Sequence, residues 1–233
     1  MKKLESKLCI INYSDSLAKL ANETVSLIEK KIIEYEEFLE ISCDKPIIVN
    51  YFDNIRDFRE FIYEIRGERS SLPEYATGTY DKEMVNAYIN PKNQLERIYT
   101  ASHELFHILY MKYILKDDYS KRIVWYDEGM AQFMSGEKDY LKEGNNFEQY
   151  FLKVRETTKK IPNINKIKHG SSFCNKEYNG YDLSYLVVRY LSEIMELKDF
   201  KNLMSNFTMI KKIGNNIIEK AFEYYSNQKN LKR

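Results

Sequence analysis

The segment TASHELFHILY, residues 100–110, holds two of the three histidines in the chain, His103 and His107, with Glu104 between them. On an α-helix, positions four apart share one face, one turn apart. Both imidazoles can then aim a ring nitrogen at a single point about 2.0–2.1 Å away, the distance at which nitrogen binds zinc. Glu104 sits about 100° round the same helix, within reach of the water such an ion activates, without having to be a ligand. The pattern H-E-x-x-H thus supplies two ligands and a base from one turn. The competing reading is a pair of satisfied histidines on a core-facing helix, a spacing that chance seldom produces in so histidine-poor a chain.

Two histidines do not complete a catalytic zinc site. The segment VWYDEGMAQF, residues 124–133, offers Glu128 on the next expected helix. A His₂Glu set leaves the fourth position of the ion open for water. Gly129 and Ala131 have almost no side chain and would let this helix pack close against the histidine helix, and Asp127 could cap it. From the residues alone, Glu128 equally suits an exposed helix-start glutamate favoured by the helix dipole.

The two segments together, HELFH followed by WYDEGMAQF, resemble the gluzincin branch of zinc metallopeptidases, and in detail the small peptidase MA-like proteins. Those carry HExxH and then Trp-x-x-Glu-Gly-x-Ala, matched here by Trp125, Glu128, Gly129 and Ala131. The later segment YDLSYLVVRYL, Tyr181 to Leu191, is similar to the family's helix with a Tyr-x-x-Ser-Tyr start and an Arg-Tyr-Leu end. The resemblance implies a zincin-like α+β fold, a zinc ion held by His103, His107 and Glu128, and Glu104 as the base that activates the attacking water. It also implies Tyr181 as the hydrogen-bond donor to the oxyanion. Tyr178 lies close by in sequence, and His169, in the loop KHGSS, could border the cleft and donate instead or simply be solvated. The edge strand ahead of the active helix would pair with an extended substrate backbone. Ala76, Thr77, Gly78 and Thr79 are small enough to admit one, although the same residues suit a plain edge strand with a glycine bulge. One position departs from the family pattern. Four residues after Glu128, where an acidic side chain is usual, stands Gln132. Its amide carbonyl can accept an imidazole N–H but raises ligand basicity less than a carboxylate does.

Elements must be found to hold these residues. LCIINY (8–13) reads as a strand, and Ser14-Asp15 then offers N-cap chemistry. Leu17, Leu20, Thr24, Ile28, Ile32, Tyr35 and Leu39 recur at helical spacing to about Ile41. KPIIVNYF (45–52) reads as a buried strand, NIRDFREFIYEIRG (54–67) as a helix closed by Gly67, and ATGTYDKEMVNAYIN (76–90) as two strands around a polar turn. A helix opening at Pro91, with Asn93 and Glu96 as a capping box, carries the histidines to about Leu115. Further helices are expected at 126–136, near 147–158, at 181–195, over LKDFKNLMSNF (197–207) and over NNIIEKAFEYY (215–225). The organisation is one catalytic domain, 1–233, of two lobes: an N-terminal α/β lobe with a mixed sheet ending in an edge hairpin and the active-site helix (1–115), then a mostly helical lobe (116–233). Trp125 is expected at their junction.

Lys+Arg number 36 and Asp+Glu 35, so global charge gives no reason to expect nucleic acid or an anionic membrane surface. No stretch approaches the 18 or so apolar residues of a transmembrane helix, and no apolar run of signal-peptide type follows the basic start. Cys9, Cys43 and Cys174 are odd in number and lack CxxC spacing, which suits free thiols in a reducing compartment and a cytoplasmic setting. The functions that remain are a peptidase acting on a peptide or protein, a zinc hydrolase of another amide, and a non-catalytic binding module on a peptidase fold. An intact Glu104 disfavours the last, because a structural zinc site has no use for a base there.

Overall fold

The computed structural model describes all residues except 68–71, 73, 75, 82, 91–93, 142–145, 168–171 and 232–233. The expected capping box at 91–96 and the loop holding His169 lie outside the described residues. The chain divides into two compact units, Met1–Tyr113 and Ile114–Arg233. No helix among the described residues is long and apolar enough to cross a membrane.

The first unit is α+β. Its sheet has five strands, β1 (Lys2–Glu5), β2 (Cys9–Tyr13), β3 (Ile47–Phe52), β4 (Gly78–Asp81) and β5 (Met84–Tyr88), in the order β1-β2-β3-β5-β4. The three central strands are parallel, and antiparallel β1 and β4 form the two edges. β1 was not expected. Lys-Lys-Leu-Glu has no apolar alternation to announce a strand, and its mostly exposed charged residues instead protect a sheet edge.

Parallel β2 and β3 are joined by α1 (Ala18–Leu39), whose buried residues include Leu20, Thr24, Ile28, Ile32, Tyr35 and Leu39, as the helical spacing predicts. The cap at its start differs from expectation. A 3₁₀ turn at Asp15–Leu17 precedes it, and Ser14 makes no side-chain cap bond; its hydroxyl donates instead to Asp53 Oδ2 at 2.7 Å. α2 (Ile55–Arg66) is closed by Gly67 as expected; Asn54 caps its start, its side chain accepting from Arg56 N, and Phe58 and Ile62 pack against Phe52. The histidine helix, α3 (Gln94–Leu109), ends in a π-helical turn at Tyr110–Ile114. It packs on β4, β5 and α1, which places α1 and α3 on one face of the sheet.

Register in the parallel core is pinned by three asparagines. Asn12, Asn50 and Asn86 are aligned partners on β2, β3 and β5. Asn12 Nδ2 donates to Asn50 Oδ1, and Asn50 Nδ2 to Asn86 Oδ1, each at 2.8 Å. A slip of one residue would break both bonds and bury the amides without partners.

The second unit is helical: α4 (Val124–Ser135), α5 (Asn146–Thr157), α6 (Gly180–Ile194), α7 (Leu197–Leu203), α8 (Phe207–Ile213) and α9 (Ile217–Leu231). The helix expected over 197–207 is two helices. Asn206 turns the chain and its side chain accepts from Met209 N, opening α8. α5 meets α9 through Phe151 against Phe222 and Tyr225.

Replacing Asn50 with Ala removes the middle of the asparagine row and leaves the buried amide of Asn86 and the half-buried one of Asn12 each short of a partner. A loss of about 2–4 kcal/mol in unfolding free energy is expected by chemical denaturation, at about 1–3 kcal/mol per stranded group.

Candidate metal centre

The candidate residues are divided between the two units. In the first, α3 presents two faces. Ser102 and Phe106 turn toward α1: Tyr35 Oη donates to Ser102 O at 3.1 Å, and the Tyr35 and Phe106 rings meet edge to face at 5.4 Å. That contact fixes the rotation of α3, and one position further on come His103 and His107. Their Nε2 atoms converge to 3.1 Å, with ring centroids 4.8 Å apart. Two nitrogens bound at about 2.0–2.1 Å to one tetrahedral ion lie about 3.3 Å apart, so the pair is already spaced as a metal would hold it. His107 is buried and His103 partly so.

The edge strand serves the same face of α3. Tyr80 lies 5.6 Å from His107, ring to ring and tilted by 34°. Two residues earlier, Gly78 faces Glu104. A Cβ at 78 would lie 2.9 Å from Glu104 Oε1 and 2.5 Å from Thr100 Cγ2, so any larger residue there would push on the Glu104 and Thr100 side chains as they stand. The strand has no bulge here, since Gly78 pairs in register with Ala87. Of the other expected strand residues, Ala76 and Thr77 precede β4, and Thr77 O accepts from Tyr88 N at 2.8 Å. Thr79 is buried and bonded through Oγ1 to Arg66 Nη2. Arg66 also grips Asp81 with two bonds, at 2.6 and 2.9 Å, tying the strand to α2.

In the second unit, Glu128 sits in α4. The helix starts earlier than 126, at Val124, because Trp125 and Tyr126 are buried in it. Asp127 therefore does not cap. Its N–H already donates to Ile123 O, and its carboxylate pairs with Arg122. Arg122 also reaches Glu128, with Nη2 3.1 Å from Oε1. Asp127 and Glu128 are both buried. Gly129, expected against the histidine helix, is matched to α6: a Cβ there would lie 2.5 Å from Ser184 O and 2.7 Å from Val188 Cγ2. Trp125 Nε1 donates to Asn165 Oδ1 at 3.1 Å, within the same unit.

Gln132 is buried, and its Nε2 donates to Tyr181 O at 2.9 Å and to Glu128 O at 3.3 Å. Together with Asn179, whose side chain accepts from Tyr181 N at 3.0 Å, it fixes the backbone at the start of α6. The Tyr181 ring packs edge-on against Phe173 at 4.6 Å. Tyr178, the neighbouring candidate donor, directs its hydroxyl to Ser172 O at 2.9 Å.

Sequence reading overlooked Tyr80 and Arg122. Period-two alternation puts Tyr80 on the strand face of Gly78, a signal that was available. Arg122 precedes its helix, so no helical spacing links it to Asp127 or Glu128. A cavity of about 320 Å³ in the first unit, lined by Asp53, Asp57, Glu60 and Glu64 among others, contains none of the motif residues.

The family model described as collagenase matches residues 76–221, more than half of the chain. The matched span holds HELFH, WYDEGMAQF and the whole of α6. No curated protein matches the chain.

Because the atoms facing Gly129 include a backbone oxygen, Gly129→Ala forces α4 and α6 apart. Overpacking of this kind costs about 1–3 kcal/mol, and thermal unfolding should show the loss even in metal-free protein.

Proposed function

The chain belongs to the collagenase family of peptidases, a zinc metallopeptidase family, and from that premise we propose that it hydrolyses peptide bonds in a peptide or protein substrate with one zinc ion held by His103, His107 and Glu128. The observation that carries the reading is the convergence of the two imidazole nitrogens beside a glutamate that rests against a sheet edge. The two units act as one catalytic domain of gluzincin type, with Glu128 as the ligand from the second unit. Zinc, when bound, supplies Lewis acidity that polarises the scissile carbonyl and acidifies water.

The remaining steps belong to the chain's own residues. Glu104 takes the proton of the attacking water and passes it to the leaving amine. Gly78 sets the carboxylate directly beside β4, so a substrate strand added along Ala76–Thr79 would carry its scissile bond close to the base. Tyr181 donates to the oxyanion of the tetrahedral intermediate. Tyr178 is less suited, because its hydroxyl already serves Ser172.

Zinc analysis of protein purified without added metal should give one ion per chain, and His103→Ala should abolish it. Glu104→Gln should keep the ion and lose about 10²–10⁴-fold in turnover of a peptide library, since a carboxamide cannot accept the proton. Full activity in that variant would refute the base assignment. Tyr181→Phe should lower kcat by about 10²–10³-fold with KM nearly unchanged, the pattern of a group that binds only the transition state.

A further inference from the structure

Asp127 and Glu128 are consecutive, and both are buried in α4. Two ionised carboxylates so placed repel each other strongly out of water. One cation answers both. Arg122 directs Nε to Asp127 Oδ2 and Nη2 to Glu128 Oε1, the latter at 3.1 Å. Arg122 is held by its own backbone, since its N–H donates to Tyr119 O at 3.1 Å at the close of a 3₁₀ turn that leads into α4. A guanidinium stays charged at any working pH and offers its donors in a rigid plane, so it can serve two acceptors in fixed directions.

We infer that Arg122 is a positioning residue for Glu128: anchored by Asp127, it holds Oε1 and so fixes the direction in which the carboxylate is presented to the metal. The inference rests on the reading of Glu128 as a zinc ligand. Ligating carboxylates are ordinarily held by such an outer partner, and its loss weakens metal binding. A cation beside a divalent ion also repels it, and this decides the role of Asp127. The Arg122–Asp127 pair carries no net charge, so it orients Glu128 without opposing the ion. An arginine paired with Glu128 alone would instead compete with zinc for that carboxylate.

The test is zinc affinity of the full chain, measured by competition with a chromophoric chelator, together with the visible spectrum of the cobalt(II)-loaded protein. Arg122→Met keeps the length of the side chain and removes the charge. It should weaken zinc about 10–100-fold, the range for loss of an outer-shell partner, and alter the cobalt spectrum through the freed carboxylate. Arg122→Lys keeps a charge for Asp127 but presents a point instead of a fork. It should fold like the wild type and still bind zinc more weakly, so it decides the matter if the Met variant does not fold. Zinc affinity equal to or tighter than wild type in a folded Arg122 variant, while His103→Ala abolishes binding, overturns the positioning role and leaves the zinc reading standing. Wild-type protein that binds no zinc overturns both.

Discussion

The rotation of α3 about its own axis is the constraint on which the placement of His103 and His107 depends. A helix turns about 100° per residue, so Ser102 and His103 face different neighbours. Tyr35 bonds the carbonyl of Ser102 and packs on Phe106. That contact turns Ser102 and Phe106 to α1 and leaves His103 and His107 together on the side of β4. A shift of one residue would put Phe106 where an imidazole is needed. Tyr35 is itself the fifth of six regularly spaced buried positions on α1, so the packing of a helix far from the motif sets where the motif points.

Burial of charge governs the other half in a comparable way. The carboxylates of Asp127 and Glu128 are held out of water, and Arg122 makes that tolerable. Gln132 fits the same constraint. A third carboxylate at that position would add another buried anion one turn beyond Glu128. The amide instead donates to Tyr181 O and links α4 to the first turn of α6. Gly129 lets the same two helices touch along their backbones. Gln132 thus has a local structural role, holding in place the helix turn that carries Tyr181.

Much of this was legible in the residues. HELFH specified its own helix and the side-by-side histidines, because the period of a helix alone determines which residues share a face. The amphipathic spacing of α1 and the Asn54 and Gly67 boundaries of α2 were readable for the same local reason. What escaped depended on neighbours distant in sequence. β1 is a strand only because β2 lies beside it. Asp127 has the chemistry of a cap, but the burial of Trp125 and Tyr126 draws the helix start back to Val124. Gly129 was correctly read as a place of close approach, but which helix approaches is a property of tertiary packing. Arg122 was invisible because its two partners are set by a loop, not by a period.

The edge strand shows how tightly base and sheet are coupled. β4 is pinned on one face by Arg66, which grips Asp81 and Thr79, and on the other by the contact of Gly78 with Glu104 and Thr100. Its register with β5 is regular, so the position of Gly78 follows from that of the whole hairpin. The side chain of Glu104 therefore rests on a surface fixed by the sheet, while the two imidazoles beside it are fixed by α1. On the proposed mechanism, the proton acceptor and the strand that receives the substrate share a single contact. A Cβ at 78 would meet the Thr100 methyl and the Glu104 carboxylate, so either those side chains or the strand must give way, and on the proposed mechanism the base is among the groups displaced.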